Sequence, residues 1–528
     1  MGVAQSPDVT ECGHEAIVRM LSQPTSYPER PSRVLVKETH ISDVFLTDRY
    51  AYKLKKPVRF EFVDFRSLES RRRACEEEVR LNRRMAEGVY LGIEPVTVDR
   101  GGKLRLGGAG KAVAWVVKMR RLPEERMLDQ LLESGLLRQI DVDRLSAFLA
   151  DYYFRTPPLV VQPDEYRAEI EHHVRANRAE LLTPEHDLPA SLVRRVHTAQ
   201  LLFLTSSPDV LSGRVCDGRI IDGHGDLRPE HICLNHQPVV FDCLEFSQQL
   251  RQLDVLDELG FLAMECDLVG AEFVGQRVID AYLDRSGDTP PDGLLWFYKS
   301  YRACVRAKVC ALRASQMRLN PGTEAGSERL LQAAHVYLDL AGLYAASLAS
   351  PFVVVVRGLM GSGKTTLSTI LAETLGVARF GTDDVRRELF GPSRSPAEYN
   401  AGHYTPQERG RVYDVLLARC ASVLGQGESV VLDGTFLSAD LVRRVDELAS
   451  VQGVRLLVVA CGCPTAVAEQ RIAARRAGGE GTSEAGPELL AAKQVEFKQV
   501  PQHVRSVEID TTHSLNTVLN TVVRQLVD

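Results

Sequence analysis

Eight residues, Gly358-Leu-Met-Gly-Ser-Gly363-Lys364-Thr365, stand directly behind the apolar run Phe352 to Val356. No other stretch restricts the fold as tightly. A buried strand has to deliver the chain into a glycine turn, and a helix has to begin at Lys364. Loop amides and the helix N-terminus then surround a polyphosphate. The helix reads as Thr365 to Leu375, with Leu367, Ile370, Leu371 and Leu375 at helical spacing. In this pattern Gly358, Gly361, Ser362, Gly363 and Thr366 line the phosphates. Lys364 reaches the β/γ-phosphates, where its charge also serves catalysis, and the Thr365 hydroxyl holds Mg²⁺. The motif implies a nucleoside triphosphate, ATP or GTP.

The loop names a ligand and leaves the reaction open. A motor ATPase usually follows its second buried strand with Asp-Glu, the Glu polarising water. Here Ser429-Val-Val-Leu-Asp433-Gly434 ends in Asp-Gly. Asp433 can help hold the Mg²⁺ shell, but no hydrolytic carboxylate follows it. That favours transfer to a bound alcohol with water kept out. Ala378-Arg-Phe-Gly-Thr-Asp383-Asp384-Val385-Arg386 reads as a short strand entering a helix. A carboxylate there can accept a hydroxyl proton, and an arginine three residues on shares its face. Plain N-terminal capping by Thr382 or an Asp is the simpler alternative. Val454 to Ala460 reads as another strand, broken by Cys463-Pro464, followed by a helix with Arg471 and Arg475 on one face. Gly478-Gly479-Glu480-Gly481 supplies a hinge for a lid, and lid arginines neutralise a transferring phosphoryl group. The alternative is a solvated basic helix face.

On these motifs, residues 352 to 528 resemble the small P-loop kinases. That group includes polynucleotide 5′-hydroxyl kinase, chloramphenicol phosphotransferase, zeta toxins and gluconate kinase. Asp383-x-x-Arg386 matches the base and phosphate-clamp pair of the polynucleotide kinases best. The resemblance implies Asp383 as general base, Arg386 as acceptor clamp and Arg475 as lid arginine.

A second constellation lies upstream. Ile220-Ile-Asp-Gly-His224-Gly225-Asp226-Leu-Arg-Pro-Glu-His231-Ile-Cys-Leu234 has an apolar strand on either side of a polar turn. Val239-Val-Phe-Asp242-Cys-Leu-Glu245 follows as a strand ending in a carboxylate. Two aspartates on neighbouring strands suit phosphoryl transfer, Asp226 taking the acceptor's proton and Asp242 chelating the metal on the triphosphate. The spacing resembles the catalytic loop of aminoglycoside phosphotransferases within the protein-kinase-like fold. Val44 to Pro57 reads as a hairpin, and Ala51-Tyr52-Lys53 resembles the strand whose lysine binds the α/β-phosphates. Lys53 and Lys55 share one strand face, so either fits, with Lys53 favoured. In a helix from Arg71 to Met85, Glu78 lines up with Leu81 and Met85 and is the expected partner of the lysine. Val113 to Pro123, with Met119, resembles the strand and hinge that hold the adenine. His40 to Val44 lacks the glycine-rich loop of protein kinases, as antibiotic kinases often do. Where the kinase pattern wants Asn as a metal ligand, this chain has His231. Imidazole is a poor Mg²⁺ ligand. One-metal catalysis, use of Mn²⁺, or a domain that binds nucleotide without transferring phosphate all follow. His224 is expected to brace the loop.

Together the segments resemble a bacterial fusion of an aminoglycoside-phosphotransferase-like domain with a P-loop kinase. The fold expected is an α+β protein-kinase-like bilobal domain, residues 1–349, followed by an α/β domain with a parallel sheet, residues 350–528. The first would divide into an N-lobe of about 30–120 and a C-lobe of about 121–349, ending at a helix Gly326 to Leu348 before Ser350-Pro351. The activity implied is bifunctional phosphotransfer. The acceptor is a small-molecule or sugar hydroxyl for the first domain, and a small molecule or a polynucleotide 5′-hydroxyl for the second. The alternative keeps only the P-loop kinase active, with a regulatory or substrate-binding partner domain. Net charge is -6, so no global basic field for long nucleic acid exists. The eleven cysteines are scattered and expected as free thiols. No run of about eighteen apolar residues occurs, which points away from the membrane and to a cytoplasmic protein. Nothing in the sequence fixes an oligomeric state.

Overall fold

The computed structural model describes residues 13–39, 41–60, 63–318, 322–391, 402–478 and 499–527. The chain divides into two compact units, 1–161 with 214–290, and 162–213 with 291–528. No described helix is long and apolar enough to cross a membrane.

The first unit opens with an antiparallel six-stranded sheet. Its order is Leu35–Glu38, Ser42–Leu46, Tyr50–Lys55, Lys111–Arg120, Tyr90–Val98 and Leu104–Leu106. Alternation along Tyr50–Lys55 sets the two faces. Tyr52 and Leu54 enter a core with Phe45, Val96 and Val116. Ala51 packs on the other side against Cys75 and Val79 of the helix Leu68–Asn82. Lys53 and Lys55 therefore look toward that helix. It begins three residues before the expected Arg71, because the Ser67 side chain accepts the Ser70 N–H as an N-cap. Downstream, Ile220–Asp222 pairs antiparallel with Gln252–Asp254, and Ile232–Leu234 forms a hairpin with Pro238–Val240. These short strands carry the polar turn at 223–231.

The second unit holds a five-stranded parallel sheet, ordered Ala378–Gly381, Val430–Gly434, Phe352–Arg357, Arg455–Gly462 and Ser506–Asp510. A parallel sheet needs cover on both faces. Helices Lys364–Leu375 and Leu515–Val527 pack on one, and Pro406–Leu424 and Ala439–Gln452 on the other.

Packing does not divide the chain at 349. Helices Pro163–Leu181, Ala190–Ser206, Leu294–Arg318 and Glu324–Ala346 belong to the unit with the parallel sheet. Leu202 is buried in the same core as Phe352, Leu367, Leu371 and Val522. Arg175 donates to Thr374 O at 3.0 Å, and Arg178 to Gly376 O at 2.6 Å. Both satisfy carbonyls at the negative end of the helix behind the glycine loop. Arg194 grips Glu428 with two bonds of 2.7 and 2.9 Å. The proline break before residue 350 marks connectivity, whereas these contacts follow packing, which crosses it.

A buried guanidinium organises the other unit. Arg214, 2% exposed, meets Asp254 at 2.6 and 2.8 Å and Asp288 at 2.6 and 2.8 Å. Asp254 also caps the helix Val255–Leu268 and pairs in the sheet with Ile220. Removing the arginine strands two buried carboxylates. Arg214→Met should cost about 3–5 kcal/mol, read by urea unfolding of the first unit. Arg277→Met, which breaks only an exposed 2.9 Å pair with Asp143, should cost less than about 1 kcal/mol.

Candidate active sites

In the first unit, Lys53 Nζ lies 3.0 Å from Glu78 Oε1 and pairs also with Asp242. Burial by itself would discharge this lysine, but Asp242 and Glu78 hold its pKa well above the ordinary value. Burial likewise favours the neutral acid at Asp242. The Lys53 ammonium overrides it and keeps that carboxyl well below the usual range. Both groups stay charged. Asp242 itself has φ 65°, left-handed for a residue other than glycine, a strain on the order of 1–2 kcal/mol. Its neighbours hold it there. Cys243 N–H donates to Asn82 Oδ1 at 2.9 Å, Leu244 N–H to His224 O at 3.1 Å, and Asp242 N–H to Tyr90 OH at 3.2 Å. Asn82 in turn donates to Glu78 O at 2.8 Å, so one amide ties the glutamate helix to the aspartate strand.

The turn beside it is equally pinned. The Glu258 carboxylate accepts the His224 N–H at 2.6 Å and the Gly225 N–H at 2.8 Å. Gly225 sits at φ 83°, and a Cβ there would lie 2.9 Å from Leu244 Cδ1. His224 Nε2 donates to Phe241 O at 2.8 Å, which leaves Nδ1 to accept the Asp226 N–H at 3.3 Å. His231 has the opposite tautomer. Its Nδ1 donates to Asp226 O at 2.9 Å, so Nε2 keeps its lone pair, 3.7 Å from Asp242 Oδ2. The Asp226 carboxylate meets Arg228 at 2.9 and 3.0 Å. Met119 and Ala51 are buried nearby, with Val44, Leu122, Val239 and Phe241 half-buried against them. An ionised Asp242 faced by an imidazole lone pair suits a divalent cation.

In the second unit, Gly358 leaves the central strand, and Gly363, which brings no side-chain cap, is the N-cap of Lys364–Leu375. Gly361 sits at φ 76°, and a Cβ there would fall 2.5 Å from Ala468 O. The loop opens on a cleft of about 490 Å³ lined by Lys364, Thr365, Thr366, Arg471, Thr511 and His513. Arg471 spans it, donating to Thr511 O at 2.8 Å and Gly361 O at 3.3 Å. Asp433 lies beside Val356 in the sheet register. Its Oδ2 meets Arg379 at 2.5 Å, while its buried Oδ1 has no hydrogen-bond partner, as fits a hydrated divalent cation. Burial works against the Arg379 charge, but Asp433 and Asp384 hold its pKa above the ordinary value.

A family profile described as an AAA domain matches residues 353–499. The uncharacterized proteins Rv2004c of Mycobacterium tuberculosis and Mb2027c of Mycobacterium bovis are each 31% identical to the chain over 498 residues. Each match covers 91% of the chain and 92% of the relative. The chain belongs to their family. Three solved structures resemble parts of this family member. A gluconokinase from Sinorhizobium meliloti is 20% identical over 34% of the chain and 95% of its own, with TM-score 0.25. The APS kinase CysC of M. tuberculosis is 18% identical over 33% and 96%, with TM-score 0.24. A choline/ethanolamine kinase family protein from Mesorhizobium loti is 13% identical over 62% and 99%, with TM-score 0.35. Scores this low say nothing about acceptor or mechanism.

In this family member, Lys53, Glu78, Asp226, His231 and Asp242 come together. Lys53 and Lys55 separate, since only Lys53 reaches Asp242. Asp383 and Arg386 meet each other, and the Arg386 guanidinium lies 4.5 Å over the Tyr404 ring. The Arg475 side chain and Gly479 to Gly481 lie outside the described residues. Arg228, Glu258, Arg379 and the bridging amide of Asn82 escaped the sequence reading. Arg228 and Arg379 carried a signal, each a cation standing within four residues of an expected carboxylate.

Burial, with the nearby His231, pushes the His224 pKa down to about 4 from 6.5. The unfolded chain therefore binds the extra proton first as pH falls. Stability is retained above pH 6.5 and lost between 6.5 and 4, by on the order of 3 kcal/mol. His224→Asn should flatten that part of the first unit's stability profile, measured by urea unfolding at a series of pH values.

Proposed function

We propose that this chain is an ATP-dependent phosphotransferase with two separate kinase sites. One draws on residues 1–349 and the other on 350–528, and each passes a γ-phosphoryl group to an acceptor hydroxyl. The observation that carries this reading is the meeting of Lys53, Glu78 and Asp242 beside the pinned Asp226 turn. Lys53 binds the α/β-phosphates, oriented by Glu78. The half-buried apolar side chains around Met119 take the base. Asp226 accepts the acceptor's proton, and Arg228 meets charge on the transferring group. Asp242 holds the divalent ion, with His231 Nε2 beside it, which admits Mn²⁺ as well as Mg²⁺. That ion, when bound, neutralises the polyphosphate.

At the second site Gly358, Gly361, Ser362, Gly363 and Thr366 line the phosphates. Lys364 supplies charge at the β/γ end, and Thr365 and Asp433 serve the cation. The cleft beside Arg471 and His513 takes the nucleoside, of ATP or of GTP. Asp383 is the base and Arg386 the clamp. Their mutual ion pair is the state from which an anionic acceptor would draw the guanidinium away. Arg475 is assigned to the lid. The acceptor here is a small molecule or a polynucleotide 5′-hydroxyl; for the first site it is a small molecule or sugar.

His231 in place of an oxygen ligand, and the ion pair that Arg228 makes with Asp226, favour a second reading. In it the first unit binds nucleotide and regulates the P-loop kinase. Single Asp226→Ala and Asp383→Ala variants decide between them, assayed with labelled ATP over sugars, nucleosides and 5′-hydroxyl oligonucleotides. Two active sites predict that each variant loses roughly 10²–10⁴-fold on its own acceptor class and keeps the other. Full transfer by both variants on every acceptor would refute the assignment of bases. A silent Asp226→Ala beside a dead Asp383→Ala selects the regulatory reading.

A further inference from the structure

Lys55 has no access to solvent or to Asp242, yet it sits in the same ion network. It lies at 0% exposure between the Glu78 and Glu245 carboxylates. Glu78 thus serves two lysines at once, Oε1 facing Lys53 and Oε2 facing Lys55. Glu245 stands three residues beyond Asp242, and Phe246 next to it packs with Phe65 and Ala74, the latter on the glutamate helix. Two ammonium groups therefore face three carboxylates in one cluster. The surplus negative charge falls at Asp242, the least enclosed of the three.

We infer that Lys55 and Glu245 form a latch that positions the nucleotide ligands of the first unit. The latch joins the helix Leu68–Asn82 to the segment after Asp242, fixing Glu78 toward Lys53 and holding Asp242 in its left-handed backbone. Lys55 touches no substrate and is a positioning residue. The site is consequently assembled before nucleotide arrives, with no separate activating event. This inference rests on the reading of Lys53 and Asp242 as nucleotide and metal ligands. Burial opposes the charge on Lys55, and Glu245 and Glu78 together raise its pKa above the ordinary value, so the latch stays charged.

The test uses the full chain carrying Lys364→Ala, which silences the P-loop site. Lys55→Met, Lys55→Arg and Glu245→Gln are compared by hydrogen exchange without ligand and by calorimetric titration with Mg-ATP. Glu245→Gln is included because Lys55→Met leaves two buried carboxylates short of a partner and risks the fold. A latch predicts faster exchange in residues 68–82 and 241–247 for Lys55→Met and Glu245→Gln. ATP binding should weaken by roughly tenfold or more, with Lys55→Arg recovering part of it. Unchanged exchange in both segments overturns the inference. So does faster exchange with wild-type ATP affinity. If the Lys364→Ala parent binds no ATP, the kinase reading of this unit falls and the positioning role with it. That failure is told apart by exchange that still depends on Lys55.

Discussion

A charge can be buried only where an opposite charge stands against it, and that requirement shapes the first unit. Asp242 and Glu78 stand against Lys53 and raise its pKa although burial opposes its charge. These pairings bring together the helix that carries Glu78, the strand that carries Lys53 and the turn that presents Asp242. Asn82, Tyr90 and His224 then supply backbone partners that make the strained Asp242 conformation the resting one. What results is a carboxylate held ionised and aimed, with a lysine beside it. On the proposed reading, the Lys53–Asp242 pair opens to admit a metal-bound polyphosphate while Glu78 stays in place.

The second unit meets polyphosphate by the complementary means. Here the attraction comes from the N–H groups of a helix start that has no side-chain cap, and from a lysine that follows them. The same helix is secured at its far end, where Arg175 and Arg178 take the carbonyls that it cannot satisfy itself. Those arginines come from a helix nearly two hundred residues upstream in the chain. The phosphate cradle is therefore not a free-standing module in this protein. Helices that a linear reading gives to the kinase-like half are part of what holds it.

How much of this was legible beforehand depended on whether the signal was local. The glycine loop, its strand and its helix are contiguous, and the observed helix starts at Lys364 as the motif requires. Lys53, Glu78, Asp226 and Asp242 were legible because each sits at a fixed place in a short pattern, although they meet across almost two hundred residues. Lys55 was legible as a neighbour of Lys53 on one face, but not as the partner of Glu245, since pairing of distant buried charges leaves no periodic trace. Glu258 and Asn82 look like ordinary helix residues until the amides they accept are seen. The grouping of the helices 163–206 with the parallel sheet was hidden for the same reason, as it rests on Leu202 and three arginines whose partners lie far along the chain.

The most direct check is a crystal structure of the full chain with a non-hydrolysable ATP analogue and Mg²⁺. Two nucleotides should appear. One should have its α/β-phosphates at Lys53 and its metal at Asp242, with Glu78 unmoved. The other should have its phosphates on the amides of 358–366. A Lys53–Asp242 pair that stays closed at saturating nucleotide, with nothing bound beside it, would contradict the reading of the first unit as a preassembled kinase site.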